Sequence, residues 1–157
     1  MALLKLLKQI WFYAGELRWK LVVAILLHAF STITLVANPY IFSRILNIFQ
    51  LYDDNLLERV TYWFWWWLAS WLWFNICHRI GRYFEISTAY RVKQNFINEH
   101  YKIVTQLPLS WHQDNHSGDT INRINIAAKS LEDFTGKLFI YIQQVLMMIG
   151  PLATLTI

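Results

Sequence analysis

Residues 21–43 read LVVAILLHAFSTITLVANPYIFS, without a single Asp, Glu, Lys or Arg. A helix must hold about 20 apolar residues in a row to cross the hydrocarbon core of a bilayer. This run is long enough, and an ordinary core helix has no need of such length. Two further runs have the same character. Residues 60–77, VTYWFWWWLASWLWFNIC, carry no charge, and neither do residues 138–157, LFIYIQQVLMMIGPLATLTI. The expectation is an all-α membrane protein with three transmembrane helices.

Composition agrees. Of the 157 residues, 56% are hydrophobic, 17% aromatic and only 15% charged. Soluble domains hold roughly 45–50% apolar and about 25% charged residues. The first 14 residues do not read as a signal peptide, because Lys5 and Lys8 break the apolar core and no small-residue cleavage site follows. The one cysteine, Cys77, lies in an apolar run, which excludes a disulfide framework.

The net charge of +4 is distributed as membrane topology, not as a nucleic-acid footprint. Lys5, Lys8, Arg18 and Lys20 oppose Glu16 alone before the first run. Between the first two runs, Arg44 and Arg59 are outnumbered by Asp53, Asp54 and Glu58. Lys and Arg accumulate on the cytoplasmic side. The N-terminus and residues 78–137 are therefore expected inside and residues 49–58 outside, in a bacterial plasma (inner) membrane, with lipid as a partner and no nucleic acid.

Residues 1–14 are amphipathic, with Leu3, Leu6, Leu7 and Ile10 on one face and Lys5 and Lys8 toward the other. They read as a helix lying on the membrane surface. The first span, 19–48, contains Asn38-Pro39, which removes a backbone hydrogen bond. The second holds six of the nine tryptophans, placed as an interfacial belt rather than a ligand cage. Its helical pattern does not stop at Cys77. It runs on through 58–106, roughly 70 Å at 1.5 Å per residue. Val92, Phe96, Ile103 and Leu107 form an apolar stripe there that something must cover.

Pro108 ends that helix. Ser110-Trp111-His112-Gln113 reads as a capping box that opens a short helix over 111–118, and Gly118 reads as its stop. A return helix follows over 119–157, with Ile121, Ile124, Ala128, Leu131 and Phe134 as its stripe. The segment is a hairpin of two long arms with a short transverse helix at the tip.

Little in the chain can do chemistry. The phosphate-cradling pattern G-x-x-x-x-G-K-[ST] is missing. Gly136-Lys137 is followed by Leu138, and Lys137 reads as a side chain snorkelling to a membrane boundary. His112 and His116 have metal-ligand spacing, but Gln113 stands where a catalytic glutamate belongs. They read as polar contacts, with no catalytic, cofactor or metal site. Within the spans, His28, Asn75, Gln143 and Gln144 are the polar groups, expected in interhelical hydrogen bonds or along a pathway.

The tip sequence at 107–124, LPLSWHQDNHSGDTINRI, resembles the first intracellular loop of ATP-binding cassette exporters of the type I fold. The resemblance extends over essentially the whole chain. It implies that Ser110, Trp111, His112, Gln113, Asp114, Asn115, His116, Ser117 and Gly118 form a coupling helix that docks on a nucleotide-binding domain. It also implies a second transporter half, identical or related, and three further spans. ATP and Mg would bind in the nucleotide-binding domain, whose motifs have no counterpart here. On this reading the chain is the N-terminal part of an exporter's permease and is no enzyme alone, whereas the complete protein is an ATP-hydrolysing translocase. The alternative is a small membrane scaffold or sensor subunit carrying a helical hairpin, which has no need of a capped transverse helix.

Overall fold

The computed structural model describes residues 2–50, 55–114 and 117–154, with side chains for 3–50, 55–112 and 118–149. Among the described residues every regular element is helical. In chain order they are α1 (Ala2–Ala14), a 3₁₀ turn (Gly15–Leu17), α2 (Arg18–Gln50), α3 (Leu56–Thr105), α4 (Leu109–Asp114), α5 (Ser117–Thr135) and α6 (Leu138–Thr154). The 50 residues of α3 form one uninterrupted helix, as the lack of proline between Pro39 and Pro108 suggests. Pro39 lies inside α2 without ending it. Membrane helices tolerate such a proline because neighbours re-satisfy the freed carbonyl.

Three boundaries differ from the sequence reading. The tip helix starts at Leu109, so Ser110 lies inside it, and the Trp111 backbone N–H donates to the Pro108 carbonyl at 3.0 Å. Proline already holds φ near the helical value, which lets the turn begin before the expected cap. Gly118 belongs to α5 and is not a stop. Ser-Gly-Asp is a helix start, with Asp119 in the first turn facing the positive end of the dipole. The return arm is also interrupted at Gly136-Lys137, where the Lys137 N–H reaches back only three residues, to Phe134.

The helices form two compact units, and α2 and α3 contribute to both. The first comprises Met1–Val23 and Tyr83–Leu138. Its core is Ile10, Tyr13, Ala14, Leu21, Val92 and Leu131, with Leu6, Phe96, Phe134 and Leu138 packed around them. The stripe on α3 is thus covered in part by α1. Leu6 and Ile10 turn into the protein, whereas Leu3, Leu4, Leu7, Trp11 and Phe12 remain exposed. Asn95 ties α3 to the end of α1, its Nδ2 donating to the Tyr13 carbonyl at 2.7 Å. On α5 the stripe is buried at Ile124, Ala128 and Leu131, but Ile121 is exposed, as is Ile103 on α3.

The second unit comprises Ala24–Arg82 and Phe139–Ile157. Its outer surface is apolar. Trp65, Trp66, Trp67, Trp71 and Trp73 are exposed, and Trp63 is half-buried. The helical stretch Leu3–Gln50 is long and apolar enough to cross a membrane by length and composition.

Candidate coupling segment and buried histidine cluster

The tip is built by abrupt changes of backbone pattern. At the end of α3 the N–H groups of Gln106 and Leu107 donate to Ile103 and Val104, tightening the last turn. The six-residue α4 then carries Leu109 exposed and Trp111 and His112 half-buried, the two rings edge-to-face at 5.2 Å. The side chains of Gln113, Asp114 and Ser117, and Asn115 and His116 altogether, lie outside the described residues. No group of three His, Cys, Asp or Glu among the described residues could hold a metal.

Behind the tip the two arms are tied by polar contacts. Tyr101 on α3 donates to Asn125 on α5 at 3.3 Å. The stronger link is Glu132, whose Oε2 lies 3.0 Å from Lys93 Nζ and 3.1 Å from Lys129 Nζ, while Lys129 also reaches Asp133 at 2.9 Å. Burial alone would push the Glu132 carboxyl up, but hydrogen bonds and charge from Lys93 and Lys129 outweigh it and hold the group below its ordinary value. The Tyr13 hydroxyl is pushed above its ordinary value by burial and by the Glu99 carboxylate. These contacts make the arms a braced pair, a prerequisite for any element that transmits displacement.

The polar residues of the uncharged runs do not converge on one place. His28 is 1% exposed; its ring centroid lies 4.0 Å from Phe139 and 5.6 Å from His78, which stacks on Phe74. Asn75 donates instead to Trp71 on its own helix at 2.8 Å. Gln143 is half-buried and Gln144 exposed. An interhelical hydrogen bond that the sequence reading did not include runs from Ser70 Oγ to Asn38 Oδ1 at 3.1 Å. A serine inside a tryptophan run, and an asparagine just before Pro39, were the available signals. His78 and Gly81 were missed as partners of His28. Gly81 is the reason the histidine fits, since a Cβ there would lie 2.8 Å from His28 Cε1.

A family model described as the ABC transporter transmembrane region matches residues 21–156. The chain belongs to that family. It is accordingly an integral membrane protein and part of the permease portion of an ABC transporter, a class of domain that pairs with nucleotide-binding domains and dimerises. No match was found among curated proteins or among solved structures. The match begins three residues into α2 and takes in α3 to α6, and α1 precedes it.

Proposed function

We propose that this transmembrane region belongs to an ATP-driven exporter and acts as its coupling half-permease. The observation that carries the reading is α4, a short helix set between two long arms that Glu132 ties together. In this proposal α2, the first part of α3, and α6 span a plasma membrane, with the N-terminus and residues 78–137 cytoplasmic and residues 49–58 external. Trp111 and its neighbours through Gly118 seat on a nucleotide-binding domain. ATP and Mg bind there, and closure of that domain pushes the tip. The braced arms carry the displacement to the spans, which work with a second transporter half. The chain itself supplies no catalytic group.

An aromatic on a short polar helix suits an interface anchor, because burying a ring in a groove gives much contact for little lost side-chain freedom. Trp111→Ala in the assembled transporter is expected to leave basal ATP hydrolysis within about twofold and to lower substrate-stimulated transport about tenfold or more, the loss of one anchor. Reconstituted vesicles read both quantities. Transport at the original rate by a folded Trp111→Ala protein would overturn the coupling role of this helix.

A further inference from the structure

In the first unit a groove of about 560 Å³ opens where the 3₁₀ turn meets α3. Ser87, Tyr90, Arg91 and Gln94 line it from one face of α3, at helical spacing. Glu16 and Lys20 line it from the opposite side. Gly15 shapes the entrance. Its φ of +54° turns the chain sharply between α1 and α2, and only Asn95 lies within 4 Å of where a side chain would be. Asn95 is already committed to the Tyr13 carbonyl and holds the wall in place.

Two features define what the groove can take. The first is charge. Lys20 and Arg91 against Glu16 leave one positive charge in excess, and among the described residues neither cation is paired with a carboxylate. The second is depth. Lys20 is the last charged residue before the uncharged run at 21–43, so on α2 the groove lies where apolar chain gives way to polar chain; α3 reaches the same groove only at residues 87–94, which moves the membrane edge on α3 from Cys77 to about Ser87. That is the headgroup level of a bilayer. Beside it, Trp19, Tyr83, Ile86 and Tyr90 are each more than half exposed. Polar groups inside and apolar groups alongside fit an amphiphile with its head in the groove and its chains along the helices.

We propose that this groove binds the headgroup of a phospholipid with one net negative charge. Lys20 and Arg91 hold the phosphodiester as charge-assisted donors. Ser87, Gln94 and Glu16 face the headgroup's hydroxyls. The acyl chains lie along Ile86 and Tyr83.

The test uses the complete membrane protein in mild detergent, titrated with dioctanoyl phosphatidylglycerol, phosphatidylethanolamine, phosphatidylcholine or inorganic phosphate and read by native mass spectrometry. Phosphatidylglycerol is expected to be retained at least fivefold better than either zwitterionic lipid. Lys20→Gln and Arg91→Gln are each expected to lower its retention about fivefold, the worth of one cation near an anionic headgroup. Arg91→Lys, which keeps the charge, and Lys102→Gln, a cation outside the groove, are expected to leave it unchanged. Equal retention of the three lipids, better retention of phosphatidylethanolamine, or indifference to both charge-removing variants would overturn the assignment. Equal capture of inorganic phosphate at the same residues would show a free-anion site instead. A photoreactive p-benzoylphenylalanine at Tyr90, irradiated in native membranes, is expected to gain the mass of a phospholipid. An adduct with a polypeptide would show that a protein partner fills the groove.

Discussion

Gly81 is where the packing of the second unit can be tested most sharply. Replacing it with alanine adds one carbon that would lie 2.8 Å from Cε1, 3.0 Å from Nε2 and 3.1 Å from Nδ1 of His28. The nearest approach is well inside the roughly 3.5 Å at which carbon atoms begin to attract. The imidazole cannot simply retreat, because Phe139 lies behind it with its centroid 4.0 Å away and His28 is 1% exposed. Overpacking of this kind costs about 1–3 kcal/mol. Against it stands the helix gain of alanine over glycine, about 1 kcal/mol. With three ring atoms overlapped at once, the upper part of the range applies, and Gly81→Ala should destabilise by about 1–2 kcal/mol net. In a His28→Ala background the ring is gone and only the helix gain remains, so the same substitution should stabilise by up to about 1 kcal/mol. The sign reversal corresponds to a coupling of about 2–3 kcal/mol, within the range for residues in direct contact. Equilibrium unfolding of the four proteins in mixed micelles measures it. A Gly81→Ala effect of the same sign and size in both backgrounds would refute the close approach of α2 and α3 at this position.

Other outcomes follow from single features. Gly15→Ala forces a side chain onto a residue with φ of +54° and should cost about 1–2 kcal/mol, whereas Gly15→Asn should cost less, as urea unfolding of the protein would show. Ser70→Ala removes the donor to Asn38 and should cost only about 0.6 kcal/mol in the membrane, so a loss several times larger in the same assay would mean the contact does more than join two helices. Glu132 has a depressed folded-state pKa, so its stabilisation is present above the ordinary value of 4.5 and is lost as pH falls through the lowered one. Unfolding midpoints should therefore drop below about pH 4.5, and Lys93→Gln should flatten that drop. For topology, a cysteine at Asp54 in a Cys77→Ser background should react with an impermeant thiol reagent on intact cells and one at Asn115 should not; labelling at Asn115 would reverse the orientation.

The histidine cluster and the two arms show how far residue patterns reach. The amphipathic spacing of Ile124, Ala128 and Leu131 was legible because a 3.6-residue repeat records which face of a helix is buried. It did not record what buries that face, so the cover supplied by α1 appeared only with the fold. Likewise His28 stood out as a polar residue in an apolar run, but nothing local pointed to His78, Phe139 or Gly81. Asn75 looked equally conspicuous, yet its amide bonds within its own helix, an option every helix offers and no spacing reveals.

Three kinds of information were fixed along the chain itself. Charge-free runs of bilayer length set the membrane class, the gap between prolines set the uninterrupted α3, and Pro108 set where it ends. Each depends on backbone chemistry or on transfer from water to lipid, and both act residue by residue. The tertiary structure alone decided the rest: that Leu6 and Ile10 face protein and not lipid, that Gly81 admits the His28 ring, that Ser70 finds Asn38, and that Lys20 and Arg91 line one groove. Those contacts join residues tens of positions apart. They depend on how helix faces are rotated against each other, a quantity that packing sets for all the helices together and no single stretch of sequence contains.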